Sequence, residues 1–143
     1  MRAQHLFSVQ GLHQVAIPAA DLDRSVTFYR DKLGATFIAA FPVPGLAFFQ
    51  LGDARLLIDK AAHASGSLKP GGSVLYFRVA DIQSAYQALR DRGVQFDAPP
   101  HLIHRDDSGT FGPAGSSEWM AFFRDPDGNL LALAARVLEE PAA

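Results

Sequence analysis

Apolar and polar positions follow two periods along this chain, and the changes between them predict strands and helices. Residues 14–18 (QVAIP) and 74–79 (VLYFRV) are short apolar runs of strand length. Each run is followed by an Asp, Asp21 or Asp81, and then by apolar residues at helical spacing. An Asp directly before a helical pattern is typical of a helix N-cap. The pattern therefore predicts a strand followed by a capped helix in each half of the chain.

The two halves repeat the same pattern. When the sequence is shifted by 60 residues, 15–34 lies over 75–94, and Asp21 falls on Asp81. A repeat at a fixed spacing indicates that one structural unit occurs twice. Each unit continues with three further predicted strands, separated by turns that contain Gly and Pro. These strands are 36–41, 47–51 and 55–59 in the first unit, and 95–99 continuing toward His104, 118–124 and 130–136 in the second.

The order of elements is therefore βαβββ, written twice, and the predicted fold class is α+β. Repeat one covers about residues 11–62 and repeat two about 72–136, within a single domain at 1–143. A Gly- and Ser-bearing link, 63–72, joins the repeats, and 106–117 is predicted to be a loop. We expect the two sheets to form a curved, cup-shaped mixed sheet with the helices on its outer face.

Composition excludes several classes of protein. There are 13 Lys and Arg against 15 Asp and Glu, with no basic run, so nucleic-acid binding is not expected. No apolar segment is long enough to cross a membrane, and there are no cysteines for disulfides or thiolate metal sites. The expected location is the cytoplasm, and the expected partner is a small molecule.

Three segments carry a family resemblance: DLDRSVTFYRDKLGA at 21–35, VADIQSAYQALRDRGV at 79–94 and FRDPDGNLLAL at 123–133. With these segments the chain resembles the vicinal oxygen chelate superfamily, which contains glyoxalase I, bleomycin-resistance proteins and extradiol dioxygenases. The resemblance implies the two-repeat fold and a homodimer with cups near its interface. It does not specify a reaction, because one fold hosts many functions.

The resemblance also implies where a divalent metal would be bound. In the family's metal enzymes, a ligand lies seven residues before each helix-capping Asp, and here these positions are Gln14 and Val74. A third ligand lies four residues after the Gly of the DPDG turn, which is Ala132 here. The fourth position is Leu57 or Asp59. Since Val and Ala offer no donor atom, no metal site is expected and a divalent cofactor is disfavoured.

Strand alternation predicts which residues line the cup. His13 is next to the ligand position, but neighbours on a strand point to opposite faces, so His13 is not expected to face the cup. The candidate ligand-binding residues are Gln14, Tyr76 and Arg78, with His104 and Trp119 from the later strands. Arg124, Asp125 and Asp127 are interpreted as turn residues.

The segment HLIHR at 101–105 holds two histidines three residues apart, so alternation predicts that at most one of them enters the cup. His104 together with Glu118 could act as an acid–base or anion-recognition group, because histidine titrates near neutral pH.

Two functions follow from these residues. The first is metal-free binding of a small, partly apolar molecule. The alternative is a lyase, isomerase or dioxygenase of the glyoxalase type. Its catalytic residues would be His104 and Glu118, or it would use a non-standard metal set drawn from Gln14, Asp59, His104 and Glu118.

Overall fold

A computed structural model describes residues 7–138 of the chain. Its order of elements is βαβββ in both halves, with one short helix added between them. The strands are β1 Gln14–Pro18, β2 Thr36–Phe41, β3 Leu46–Leu51, β4 Ala54–Asp59, β5 Leu75–Arg78, β6 His101–Asp106, β7 Ser116–Arg124 and β8 Leu130–Leu138. The helices are α1 Leu22–Thr27, which continues as a π-helical turn at Phe28–Lys32, α2 Lys60–Ser65, and α3 Ile82–Asp91.

The predicted caps form as hydrogen bonds. Asp21 accepts from the Arg24 backbone N–H at 3.0 Å and Asp81 accepts from that of Ser84 at 3.2 Å. These bonds satisfy two of the N–H groups that have no partner within a helix. The helices that follow β1 and β5 therefore begin where the repeat predicts them.

Two elements differ from the prediction. Helix α2 occupies the end of repeat one and the start of the predicted link, and Asp59 caps it by accepting from the Ala62 backbone N–H at 2.9 Å. Residues 95–99 do not form a continuous strand, since only Phe96 makes a bridge, to Phe123. Two consecutive prolines, at 99 and 100, lack the N–H that a strand ladder needs, so β6 begins after them.

Each half folds into a four-stranded mixed sheet. The strand order is β1-β4-β3-β2 in the first half and β5-β8-β7-β6 in the second. In both, the first strand pairs parallel with the last and the other neighbours are antiparallel. The two sheets thus have the same topology, which confirms the α+β fold of two βαβββ units.

One hydrophobic core is shared by both halves, and it covers one face of each sheet. We call this side the core face and the opposite side the open face. Phe49 and Leu56 of the first sheet and Phe123 and Leu131 of the second are fully buried on the core face. On the open face, Gln14, Ala16, Tyr76 and Arg78 are exposed, while Ala132 is buried. Exposure in β1 and β5 therefore alternates between the two faces as predicted.

The end of the first helix joins the halves. The ring of Phe28 lies 6.5 Å from that of Phe123 in the second sheet, and the ring of Tyr29 lies 5.9 Å from that of Phe49 in the first. Both side chains are buried although they are consecutive, because each contacts a different sheet. No helix within residues 7–138 is long and apolar enough to cross a membrane.

Candidate functional site

Aromatic side chains cover part of the open face of the second sheet. Tyr76 lies opposite Ala132, and Ala132 lies opposite Phe122. The rings of Tyr76 and Phe122 meet edge to face at 6.2 Å, and His101 lies 6.4 Å from Phe122. Tyr76 remains 54% exposed, whereas Tyr29, Phe49 and Phe123 are fully buried in the core. This row, Tyr76–Phe122–His101, is an aromatic surface on the side of the sheet opposite the core.

A bulge in β6 brings both histidines to this surface. His101 pairs with Met120 and His104 pairs with Glu118, while the ladder register shifts between Leu102 and His104. Met120 and Glu118 are two apart in an unbroken strand, so they share a face. The prediction that at most one histidine enters the cup is therefore wrong. The residue inserted at the bulge, Ile103, cancels the alternation that separated them.

A polar row follows the aromatic one along the sheet. His104 lies beside Glu118, and Glu118 lies beside Arg136 of β8. The Arg136 guanidinium is 3.7 Å from Glu118 Oε2, 3.0 Å from Ser116 Oγ and 3.5 Å from Asp106 Oδ2. The two catalytic candidates, His104 and Glu118, are thus neighbours, and Arg136 neutralises part of the carboxylate charge at this end of the face.

Asp106 organises the loop that follows β6. Its carboxylate accepts backbone N–H bonds from Thr110, Phe111 and Gly112 at 2.7, 2.9 and 3.0 Å. Burial alone would raise the pKa of Asp106, but these three bonds and the nearby Arg136 together lower it below its ordinary value. The loop is thereby fixed with the exposed Phe111 ring 6.0 Å from the His104 ring, at the edge of the polar row.

The other predicted ligand-binding residues, Arg78, Trp119 and Gln14, do not all lie on one face of one sheet. Arg78 is exposed on the open face, opposite Ala134. Trp119 packs against the core and pairs with Ala135, so it lies on the core face and does not line the surface that carries Tyr76 and His104. Gln14 lies on the open face of the first sheet, not the second.

The open face of the first sheet has its own polar and aromatic row. Gln14 of β1 lies directly opposite Arg55 of β4, and the Arg55 Nε donates to Gln14 Oε1 at 3.2 Å. Arg55 Nη2 also contacts His13 Nε2 at 3.0 Å, and its guanidinium carbon lies 6.0 Å from the centre of the Phe48 ring. His13, set aside from the cup by alternation, thus reaches the edge of this face through Arg55.

The pairing also settles the open choice of a fourth metal position. Leu57 pairs with Ala16, and Ala132 pairs with Tyr76, which is the residue related to Ala16 by the 60-residue repeat. Leu57 is therefore the counterpart of Ala132. Asp59 instead uses its carboxylate to cap α2.

The residues present do not fit a divalent metal ion. Leu57, Val74 and Ala132 have no donor side chain, and the one donor, Gln14 Oε1, already accepts from the cationic Arg55. Within residues 7–138, no group of three or more His, Asp or Glu side chains is arranged to hold a metal. We therefore derive no chemical step through a metal at this position.

Sequence reasoning missed two residues of these faces, Arg55 and Arg136. Both lie near strand ends, where the sequence signal is that of solvated charge. However, β4 and β8 are interior strands of their sheets. Their register places Arg55 beside Gln14 and Arg136 beside Glu118. No local pattern reveals this, because register depends on long-range pairing.

Fold, repeat and site together identify the family. Residues 11–133 match the model of the Glyoxalase/Bleomycin resistance protein/Dioxygenase superfamily, and the chain belongs to this superfamily. A curated relative, the uncharacterized protein YraH of Bacillus subtilis (strain 168), is 27% identical over 133 residues, which cover 84% of this chain and 94% of the relative.

Solved structures share the fold. The antibiotic binding protein TnmS3 from Streptomyces sp. CB03234 superposes with a TM-score of 0.68 at 20% identity, covering 92% of this chain and 99% of that one. Lactoylglutathione lyase from Agrobacterium tumefaciens gives a TM-score of 0.67 at 24% identity, covering 89% and 94%. A superfamily member from Sphaerobacter thermophilus DSM 20745 gives 0.68 at 23% identity, covering 89% and 98%. These neighbours include both a binding protein and an enzyme.

Proposed function

We propose that this protein binds a small, partly apolar organic molecule on its open faces, without a catalytic metal. The observation that carries the proposal is the exposed aromatic row Tyr76–Phe122–His101, which lies beside the polar row of His104, Glu118 and Arg136. Apolar surface with a few oriented polar groups is typical of small-molecule sites. The fold shared with TnmS3, an antibiotic binding protein, supports the same class of function.

Within the proposal, the side chains have separate roles. Tyr76 and Phe122 offer ring edges and faces to the apolar body of the ligand. His104 provides a donor or an acceptor, and the exposed Arg78 provides a positive charge. Gln14, on the open face of the other sheet, contributes its amide to a ligand that contacts both faces.

We further propose that the protein is a homodimer. In one chain the open faces are exposed at Gln14, Ala16, Tyr76 and Arg78, so the ligand surface is not enclosed. A second copy laid against these faces would bury the aromatic row and exclude water from the ligand. Sedimentation equilibrium of the purified protein tests this, and a monomer at all concentrations would contradict it. We also propose that the protein is located in the cytoplasm, and cell fractionation tests this location.

Binding is tested by a melting-temperature screen of aromatic and amphipathic compounds, because a ligand that binds only the folded state raises the melting temperature. Hits are then titrated calorimetrically against Tyr76→Ala and His104→Ala. We expect each variant to weaken binding while keeping the melting temperature of the free protein.

Matched controls are Gln83→Ala, an exposed residue of α3, and His63→Ala, a histidine of α2. Neither lies on the open faces, so binding by both is expected to match wild type. If the screen gives hits whose affinities are unchanged by Tyr76→Ala and His104→Ala, the ligand surface is elsewhere and the proposal fails.

A second candidate function, a lyase or isomerase of the glyoxalase type, is favoured by one observation. The bulge places His101 and His104 on the same face, with Glu118 beside His104. Such a set could move a proton without a metal. The test is turnover of any ligand found in the screen, with His104→Ala compared to wild type. Equal turnover in that variant would remove His104 from the mechanism.

A further inference from the structure

Arg55 is held in one position on the open face of the first sheet. Its Nε donates to Gln14 Oε1 at 3.2 Å, and its Nη2 lies 3.0 Å from His13 Nε2. Arginine can only donate, so the Nη2 N–H is directed at the His13 ring nitrogen. The guanidinium also lies over the ring of Phe48, at 6.0 Å. These three neighbours, two at or directly before the start of β1 and one in β3, fix the direction in which the guanidinium points.

The positive charge of Arg55 is not compensated. Neither hydrogen-bond partner, Gln14 or His13, carries a negative charge, and no carboxylate of residues 7–138 lies within ion-pairing distance of this guanidinium. In contrast, Arg24 pairs with Asp127, and Arg136 pairs with Asp106 and Glu118. Three arginines elsewhere, Arg78, Arg90 and Arg92, also have no carboxylate partner within residues 7–138.

The free donors of Arg55 are those that a carboxylate would use. A guanidinium carries five N–H groups, and the two contacts above occupy one on Nε and one on Nη2. Both N–H groups of Nη1 and one of Nη2 remain. A carboxylate binds side by side across these two nitrogens, in a bidentate geometry. The next row of the face is apolar, with Ala16, Leu57 and Phe48 in register.

We propose that Arg55 is the anion-recognition residue of the ligand surface, and that the ligand class is a carboxylate attached to an apolar body. The proposal rests on the function proposed above and specifies its ligand. The carboxylate pairs with Nη1 and Nη2 of Arg55, and the apolar body lies along Leu57 and Phe48.

The test compares two probes of equal size, benzoate and benzamide, which differ in charge. Each is titrated into the isotope-labelled protein while NMR chemical shifts are followed, including the side-chain amide of Gln14. We expect wild type to bind benzoate about fivefold more tightly than benzamide, the size of a favourable exposed ion pair. Added salt weakens benzoate binding and leaves benzamide binding unchanged, because only the first depends on charge.

Three variants separate charge from folding. Arg55→Gln is expected to lose the preference for benzoate while binding benzamide as wild type does. Arg55→Lys keeps the charge without the bidentate geometry and is expected to show an intermediate preference. Arg30→Gln removes an exposed arginine that pairs with Asp31 on the first helix, and should match wild type. Melting temperatures of all variants check that the fold is retained.

The outcomes distinguish this inference from the function on which it rests. If benzamide and benzoate both shift open-face resonances but Arg55→Gln keeps the wild-type preference, the anion role of Arg55 is overturned and small-molecule binding stands. If benzoate perturbs only residues away from the open faces, Arg55 is not the residue that recognises the carboxylate. If neither probe perturbs the open faces of wild type, the proposed function fails, and this inference fails with it.

Discussion

The Tyr29 hydroxyl, on the first helix, donates a 2.7 Å hydrogen bond to Asp125 Oδ2, in the turn between β7 and β8. The same carboxylate oxygen accepts from Asn129 Nδ2 at 2.8 Å, and Asn129 in turn donates to the Pro18 carbonyl at 3.2 Å. The DPDGN turn of the second half is therefore bonded to β1 and to the first helix. Its acidic residues form the turn and also join the two repeats.

The first prediction concerns the stability that this junction provides. Tyr29→Phe removes the hydroxyl and leaves a buried carboxylate with one donor fewer, so we expect the free energy of unfolding to fall by about 1–3 kcal/mol. Tyr86→Phe is the matched control, since the Tyr86 ring packs on Phe96 and its hydroxyl makes no hydrogen bond within residues 7–138. Urea denaturation measures both. Equal losses in the two variants would show that the bond to Asp125 contributes nothing.

The second prediction is an alkaline loss of stability. Burial, and then the negative charge of Asp125, raise the pKa of Tyr29 well above its ordinary value. A raised pKa in the folded state means that the contribution is complete below the unfolded pKa of about 10 and declines as the pH rises above it. The stability difference between wild type and Tyr29→Phe should therefore shrink above about pH 10. A constant difference between pH 8 and 11 would contradict this, with Tyr86→Phe reporting general alkaline effects.

The third prediction is that divalent metals do not stabilise the protein. The four positions of the family's metal site contain Gln14, Leu57, Val74 and Ala132, and the Gln14 carbonyl is bonded to a cation. We expect less than one equivalent of any transition metal in protein purified without chelators, by elemental analysis. Added Zn²⁺, Mn²⁺ or Ni²⁺, or EDTA, should leave the melting temperature unchanged. Stoichiometric metal that rebinds after removal would contradict the metal-free proposal.

The fourth prediction concerns Gly112, which lies against Arg136. A Cβ at this position would be 3.0 Å from Arg136 Cδ and 3.1 Å from its Nε, so Gly112→Ala pushes this side chain aside by a few tenths of an ångström and perturbs its contacts with Ser116 and Glu118. We expect a lower melting temperature and a changed affinity for ligands that contact His104. Gly72→Ala is the control, because a Cβ there meets only the Lys69 carbonyl at 3.4 Å. If Gly112→Ala and Gly72→Ala have identical effects, the position of Arg136 does not depend on the space that Gly112 leaves for it.

Several features could be predicted because they depend on neighbours in the sequence. Asp21 and Asp81 cap helices through backbone N–H groups three residues away. Alternation in β1 and β5 places Gln14, Tyr76 and Arg78 on the face opposite the core. The 60-residue repeat predicted the two-unit fold, and the family resemblance implied where the metal positions lie within it.

Other features depend on which strand lies beside which, and local patterns do not contain that information. The Ile103 bulge is visible only in the pairing of β6 with β7, and it moves His101 to the face of His104. Trp119 fits a ligand site by residue type, but its parity in β7 places it against the core.

The sequence by itself determined the two βαβββ units, their caps and the absence of donor side chains at Val74 and Ala132, because these follow from residue identity and spacing. Only the tertiary structure decided that Arg55 lies opposite Gln14 and that Leu57 is the counterpart of Ala132. The physical reason is that hydrogen bonds between strands set the register, and a one-residue change in register moves every side chain to the other face.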